Sequence, residues 1–178
     1  MLGTILTSNL KWDKNCANLI KKFYARLQLL RKIASFNSDT NELKQIYITF
    51  CRGILEHSCE VWGNNLSEEN KEDLERCQKV AVRLIVQNYK SYFLALQELS
   101  LETLEQRRKK LSLRMAKKFV EHKNMKSLFP LHEKKHIMQT RTKYHYEVTQ
   151  ANTERFRGSA IITMQNQLNK HYREGNIS

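Results

Sequence analysis

Leu43-Lys-Gln-Ile-Tyr-Ile-Thr-Phe-Cys-Arg-Gly-Ile-Leu-Glu-His-Ser-Cys-Glu-Val-Trp62 is the stretch whose reading decides the fold. Leu43, Ile46, Tyr47, Phe50 and Ile54 follow the i, i+3, i+4, i+7, i+11 spacing of one helical face. Ile48, Cys51 and Leu55 fall on a second face, so the predicted helix is apolar around much of its girth. A helix of that kind is covered on more than one side. It is therefore expected at the centre of a helical bundle, with basic amphipathic segments leaning on it.

Upstream, Cys16, Leu19, Ile20, Phe23, Leu27, Leu30 and Ile33 predict an amphipathic helix from Asp13 to about Ala34. Asp13 is its expected N-cap, and Arg31 and Lys32 suit the negative end of the helix dipole. Its polar face carries Lys21, Lys22, Arg26, Arg31 and Lys32, with no acid after Asp13. Before it, residues 2–12 read as a short strand, Leu2 to Leu6, and a turn at Thr7-Ser8-Asn9. A lone strand leaves its edges unpaired, so this piece either pairs with something else or packs as an extended arm.

Downstream, Ser67 with Glu68 and Glu69 opens a helix to about Val86. Leu74, Cys77, Ala81, Leu84 and Ile85 form its apolar stripe, and Arg76, Lys79 and Arg83 share another face. Tyr92 to Leu99 is a short helical turn with Phe93, Leu96 and Leu99 apolar. A further helix runs from about Leu101 to Glu121, striped by Leu101, Leu104, Leu111, Met115 and Phe119. Its basic set is Arg107, Arg108, Lys109, Lys110, Arg114, Lys117 and Lys118. Around Pro130 the periodicity fails, and 123–156 reads as a long basic loop before a last helix from Ser159 to Tyr172, with Ile161, Met164 and Leu168 apolar.

The expected fold is therefore all-α: an irregular bundle of about five to six helices, with a short extended N-terminal segment and a long loop before the last helix. Segment 1–12 is a strand and turn, 13–122 the bundle, 123–156 the loop, and 157–178 a helix and tail. One Pro and five Gly among 178 residues agree with this. A chain of this length buries roughly 70% of its unfolded surface and needs no staples. Cys16, Cys51, Cys59 and Cys77 form no C-x-x-C pair and read as buried reduced thiols. The N-terminus lacks a signal-peptide pattern, and no stretch approaches the roughly 18 apolar residues of a membrane span. The chain is thus expected to be intracellular, nuclear or cytoplasmic, and not secreted.

Chemistry signals are weak. His132-Glu133-Lys134-Lys135-His136 matches H-E-x-x-H in letters. Two lysines fill the gap, Pro130 stands just ahead and no third ligand is evident, so solvated loop residues outrank a zinc hydrolase. Asp13, Asp39 and Asp73 are isolated near helix starts, so no aspartate pair is available for two-metal nucleotidyl transfer. No glycine-rich phosphate loop occurs. No catalytic residue, metal site or cofactor is assigned.

The charge is informative. A formal net charge of +13 favours a polyanionic partner. The segment from Asp39 to Glu69 holds six acids against Lys44 and Arg52, so the positive charge is segregated onto the flanking helices. With no zinc finger or RNA-recognition motif, backbone-directed, salt-sensitive binding of RNA, DNA or a hybrid is expected.

Leu2-Gly3-Thr4-Ile5-Leu6, Leu10-Lys11-Trp12 and a helix ending Leu29-Leu30-Arg31-Lys32 appear in that order. They are followed by Ile54 to Gly63 with its Glu56-His57 and Trp62-Gly63, Leu74 to Ile85, Leu99 to Arg108 with its double arginine, and Asn152 to Phe156 with Ser159-Ala160-Ile161. This ordered set resembles the region just downstream of the palm in non-LTR (LINE-type, jockey-like) retrotransposon reverse transcriptases. The resemblance implies thumb-like and connector helices that grip a template–primer duplex, with the palm and fingers as missing partners. The family's palm carboxylates have no counterpart here, so a non-catalytic role is implied. Gly53 departs from the Ser or Pro common at its position, which leaves local bending there open. The alternative from another class is a helical protein–protein interaction module, and self-association stays open.

Overall fold

A computed structural model describes residues 3–9, 11–36, 38–131 and 145–175. The histidines of the H-E-x-x-H letters and the Thr140–Tyr144 run lie outside them. The fold is all-α: among the described residues the sole β feature is an isolated bridge between Leu131 and Tyr146. The chain divides into two compact units, one of Met1–Cys59 with Leu66–Arg108, the other of Glu60–Asn65 with Lys109–Ser178. The division falls inside one continuous helix, whereas the sequence reading places a boundary at 122.

In the first unit, α1 (Asp13–Ala34) buries Asn15, Cys16, Leu19, Phe23, Leu27 and Leu30. It packs on α5 (Glu68–Ile85) and on every segment of the helix that follows it, α2 (Thr40–Ile46), a π-helical stretch (Tyr47–Arg52) and α3 (Gly53–Leu55). The 43–62 helix meets α5 as well, through α2 and the Tyr47–Gln78 hydrogen bond, so α1 and this helix share the centre of the unit. The expected Asp13 cap is corrected too: Trp12 occupies the N-cap without a side-chain bond, and Asp13 sits in the first turn. There its carboxylate accepts from Asn70 Nδ2 at 2.7 Å. The N-terminal piece forms no strand among the described residues. It runs as an extended arm whose Ile5 N–H donates to Asn15 Oδ1 on α1 at 3.1 Å.

Asp39 caps α2, accepting from Asn41 N. The buried residues of the segmented helix are Leu43, Tyr47, Cys51 and Leu55, while Ile46 and Ile54 are half-buried and Phe50 is 51% exposed. The two-faced expectation fails here for a geometric reason. In a regular α-helix every fourth residue drifts about 40° around the axis. A π stretch holds more residues per turn and offsets that drift, so a four-residue repeat keeps one face. The extra segmentation, and two four-residue helices, α4 (Cys59–Trp62) and α8 (Glu154–Arg157), raise the helix count above the expected five to six.

Ser67 caps α5 as expected, and Ser91 caps α6 (Tyr92–Glu98). Phe93 of α6, expected in the apolar stripe, is 68% exposed; the buried side is Ala95, Leu96 and Leu99. A polar chain runs through this unit. Tyr47 Oη donates to Gln78 Oε1 at 2.7 Å, and Gln78 Nε2 donates to Tyr92 Oη at 2.8 Å and to Glu102 O at 2.9 Å. Tyr92 donates to Glu75, whose other carboxylate oxygen accepts from Leu104 N at 3.0 Å. The side chains of Tyr47, Gln78, Tyr92 and Glu75 thereby partner one another, as buried polar groups require.

The last helix of this unit, α7 (Leu104–Glu121), starts at a reciprocal cap: Gln106 N donates to Thr103 Oγ1 and Thr103 N donates to Gln106 Oε1. Leu101 consequently lies before the helix. The second unit takes α7 from Lys109 onward, a 3-10 turn (Lys126–Leu128), α8 and α9 (Ala160–Gly175). Its core is Ala116, Phe129, Tyr146, Met164 and Leu168. Phe129 and Tyr146 belong to the stretch expected to be loop. Two buried amides of α9 hold the backbone near Leu128 and from His145 to Thr149. Asn169 Oδ1 accepts from His145 N and Tyr146 N while its Nδ2 donates to Tyr146 O. Gln165 Oε1 accepts from Thr149 N and its Nε2 donates to Leu128 O. Side chains here replace the ladder that a neighbouring strand would supply.

Candidate nucleic-acid interface

The basic residues singled out from sequence separate into three classes. The first is locked internally. Arg107 makes a two-point ion pair with Glu56, Nε to Oε1 at 2.8 Å and Nη2 to Oε2 at 2.9 Å. That hydrogen bond raises its pKa. Arg108 is 3% exposed, and burial lowers its pKa. The double arginine, expected among the phosphate contacts, is engaged within the fold instead. Arg108 lies on the buried row Leu104, Arg108, Ser112 and Ala116, a four-residue repeat that a search for apolar letters passes over.

The second class is exposed but engaged. Arg76 Nη1 pairs with Asp73 Oδ1 at 2.7 Å. Lys79 Nζ sits 5.4 Å from the Tyr92 ring centroid, and the Arg83 guanidinium sits 4.9 Å from that of Tyr89. These are weak surface contacts that an arriving phosphate can displace. Lys109 and Lys110 are exposed and also have partners within the chain.

The third class comprises exposed cations with no carboxylate partner among the described residues. On α1 they are Lys21, Lys22, Arg26, Arg31 and Lys32. They do not share one face. Lys21 and Lys32 are eleven residues apart and point the same way, whereas Lys22 and Arg26, at i and i+4, lie along one flank. Arg31 lies on the other flank, where it and Arg76 of α5 both oppose the burial-driven rise in the Tyr24 hydroxyl pKa. On α7, within the second unit, Arg114, Lys117 and Lys118 form an exposed row at i, i+3 and i+4.

Lys22 and Arg26 border a groove of about 430 Å³ inside the first unit, together with Gly3, Leu19, Thr49, Phe50, Gly53, Ile54 and His57. Phe50, which the spacing places on an apolar face, is exposed, and so is His57. The overlooked signal was Gly53 three residues after Phe50 in an otherwise apolar helix.

Among the described residues no group of three or more His, Cys, Asp or Glu side chains could hold a metal ion. No described helix is long and apolar enough to cross a membrane. The four cysteines are buried and none is in a disulfide. No protein-family model, curated protein or solved structure matches this chain.

Proposed function

We propose that this chain is a non-catalytic helical region of a retroelement RNA-directed DNA polymerase, the part following the palm, and that it grips the backbone of a template–primer duplex. The observation that carries the proposal is the set of exposed, acid-free cations on α1 and α7. Phosphates would replace the counterions around Lys21, Lys22, Arg26, Arg31, Lys32, Arg114, Lys117 and Lys118, with Arg76, Lys79 and Arg83 as further contacts. Arg107 and Arg108 leave the contact set, because one is held by Glu56 and the other is buried.

The test is equilibrium binding of the whole chain to an RNA/DNA hybrid by fluorescence anisotropy, between about 50 and 200 mM salt. Six or more phosphate contacts imply a loss of about a thousandfold or more across that range. A flat salt dependence, or no binding at the lowest salt, overturns the proposal. One observation favours a second reading: Phe93 and Leu94 stand 68% and 50% exposed side by side on α6, as a protein-docking surface would. Self-association that persists at high salt, and is lost in Phe93→Ser, would support it.

A further inference from the structure

We propose that the groove between α1 and the π-helical stretch holds one unpaired nucleotide of a nucleic-acid strand, its base against Phe50 and its phosphate between Lys22 and Arg26. The inference rests on the nucleic-acid reading and adds a site to it.

Four observations converge. First, the groove, about 430 Å³, lies in the range of small-ligand sites. Second, its lining includes two cations and no acid, and neither cation has a carboxylate partner among the described residues. An arginine and a lysine one turn apart suit a phosphate, the arginine through two parallel N–H donors. Third, Phe50 offers half of its surface to solvent while its neighbours Tyr47 and Cys51 are buried. Aromatic faces in basic grooves are stacking platforms for bases. Fourth, Gly53 has helical dihedrals, φ −56 and ψ −27, so its backbone does not require glycine. A Cβ there would meet nothing within 4 Å, so close packing does not require it either. Glycine in a helix is unfavourable relative to alanine. What it supplies here is open space one turn from Phe50.

The π-helical stretch supplies the placement. It keeps Leu43, Tyr47, Cys51 and Leu55 on the core side and turns Thr49 and Phe50 outward at the groove. Such stretches are frequent at functional sites. Bases within a duplex are stacked and paired and cannot lie on Phe50. The occupant is therefore an unpaired nucleotide, such as an overhang.

The experiment compares the whole chain's affinity for a blunt RNA/DNA hybrid with that for the same hybrid bearing a short single-stranded overhang. A 2-aminopurine in the overhang reports stacking. Wild type should favour the overhang by about 5- to 150-fold, the value of one stacked base, and the 2-aminopurine signal should change on binding. Phe50→Ala and Gly53→Leu should each abolish that preference and signal while leaving blunt-hybrid affinity unchanged. Both positions are exposed, and circular dichroism checks that the helices persist. Blunt and overhung hybrids binding equally would overturn the nucleotide site and leave the backbone grip standing. So would a preference that survives both substitutions, or displacement of the overhang by a free mononucleotide at equal concentration. Failure to bind any hybrid would overturn the backbone grip as well.

Discussion

Arg107 and Lys22 are both basic residues on amphipathic helices of the same unit, and the fold treats them oppositely. Arg107 follows the acidic central segment in space, meets Glu56 in a two-point pair, and keeps 26% of its side chain exposed. Lys22 faces a groove with no acid in its lining. The density of positive charge along the chain points to the start of α7, with four consecutive cations from Arg107 to Lys110. The availability of charge points to α1 and to the outer row of α7. A cation serves an external anion only where the fold withholds its own carboxylates, because a satisfied pair must be broken and a buried one reached.

The largest effect that would sharpen this contrast is expected from Arg114→Gln, Lys117→Gln and Lys118→Gln combined. Hybrid affinity should fall on the order of a hundredfold at 0.1 M salt, and the salt slope should flatten by about one unit per lost contact. Melting temperature should not move, since all three are exposed without acid partners. An unchanged slope would remove α7 from the interface.

Arg107→Gln is the opposite case. Removing one partner of a half-buried, two-point pair should lower stability by about 1–3 kcal/mol, leaving Glu56 with the longer contact to Arg52 at 3.4 Å. Thermal denaturation should show a drop of several degrees, with the salt slope of hybrid binding unaltered. A flatter slope with undiminished stability would return Arg107 to the interface.

Tyr47→Phe probes the polar chain that holds the π stretch. Loss of its bond to Gln78 should cost about 1 kcal/mol in denaturant unfolding, with overhang preference preserved. A loss of that preference at full stability would mean that Tyr47 acts on the groove itself.

A further contrast concerns pH. Burial pushes the Cys16 thiol from 9.0 up to about 11 and the Cys77 thiol from 9.0 up to about 12. The unfolded chain therefore loses these protons first. Their contribution to stability is whole below pH 9.0 and is lost as pH rises toward those folded values. Denaturation curves at pH 8 and about 10.5 should diverge less for Cys77→Ala than for wild type. Equal divergence would show that Cys77 ionises as freely folded as unfolded.

How much was legible varies by element. The apolar row of α1 was read almost residue by residue, and that of α5 at Leu74, Cys77, Ala81 and Ile85 but not at Gln78 and Val82, since a regular α-helix maps its spacing onto a buried face. Ser67 and Asp39 were legible because a cap is a local hydrogen bond. The central helix was legible as a helix but not in its phase, because a π stretch changes the residues per turn. Phe129 and Tyr146 stayed hidden because the backbone of Leu128, His145, Tyr146 and Thr149 is held by Gln165 and Asn169, remote in sequence, with no period of its own.

Short-range spacing and composition set an all-α chain, its main helices, the Ser67 cap and its excess of positive charge. The tertiary structure alone decided which cations are spent on internal pairs and which stay open. It also decided that Phe50 leaves the core and that Gly53 opens a groove beside it. Those outcomes depend on which carboxylates and rings are brought within a few ångströms by residues far apart in the chain, as Glu56 is to Arg107, and no local pattern encodes that distance.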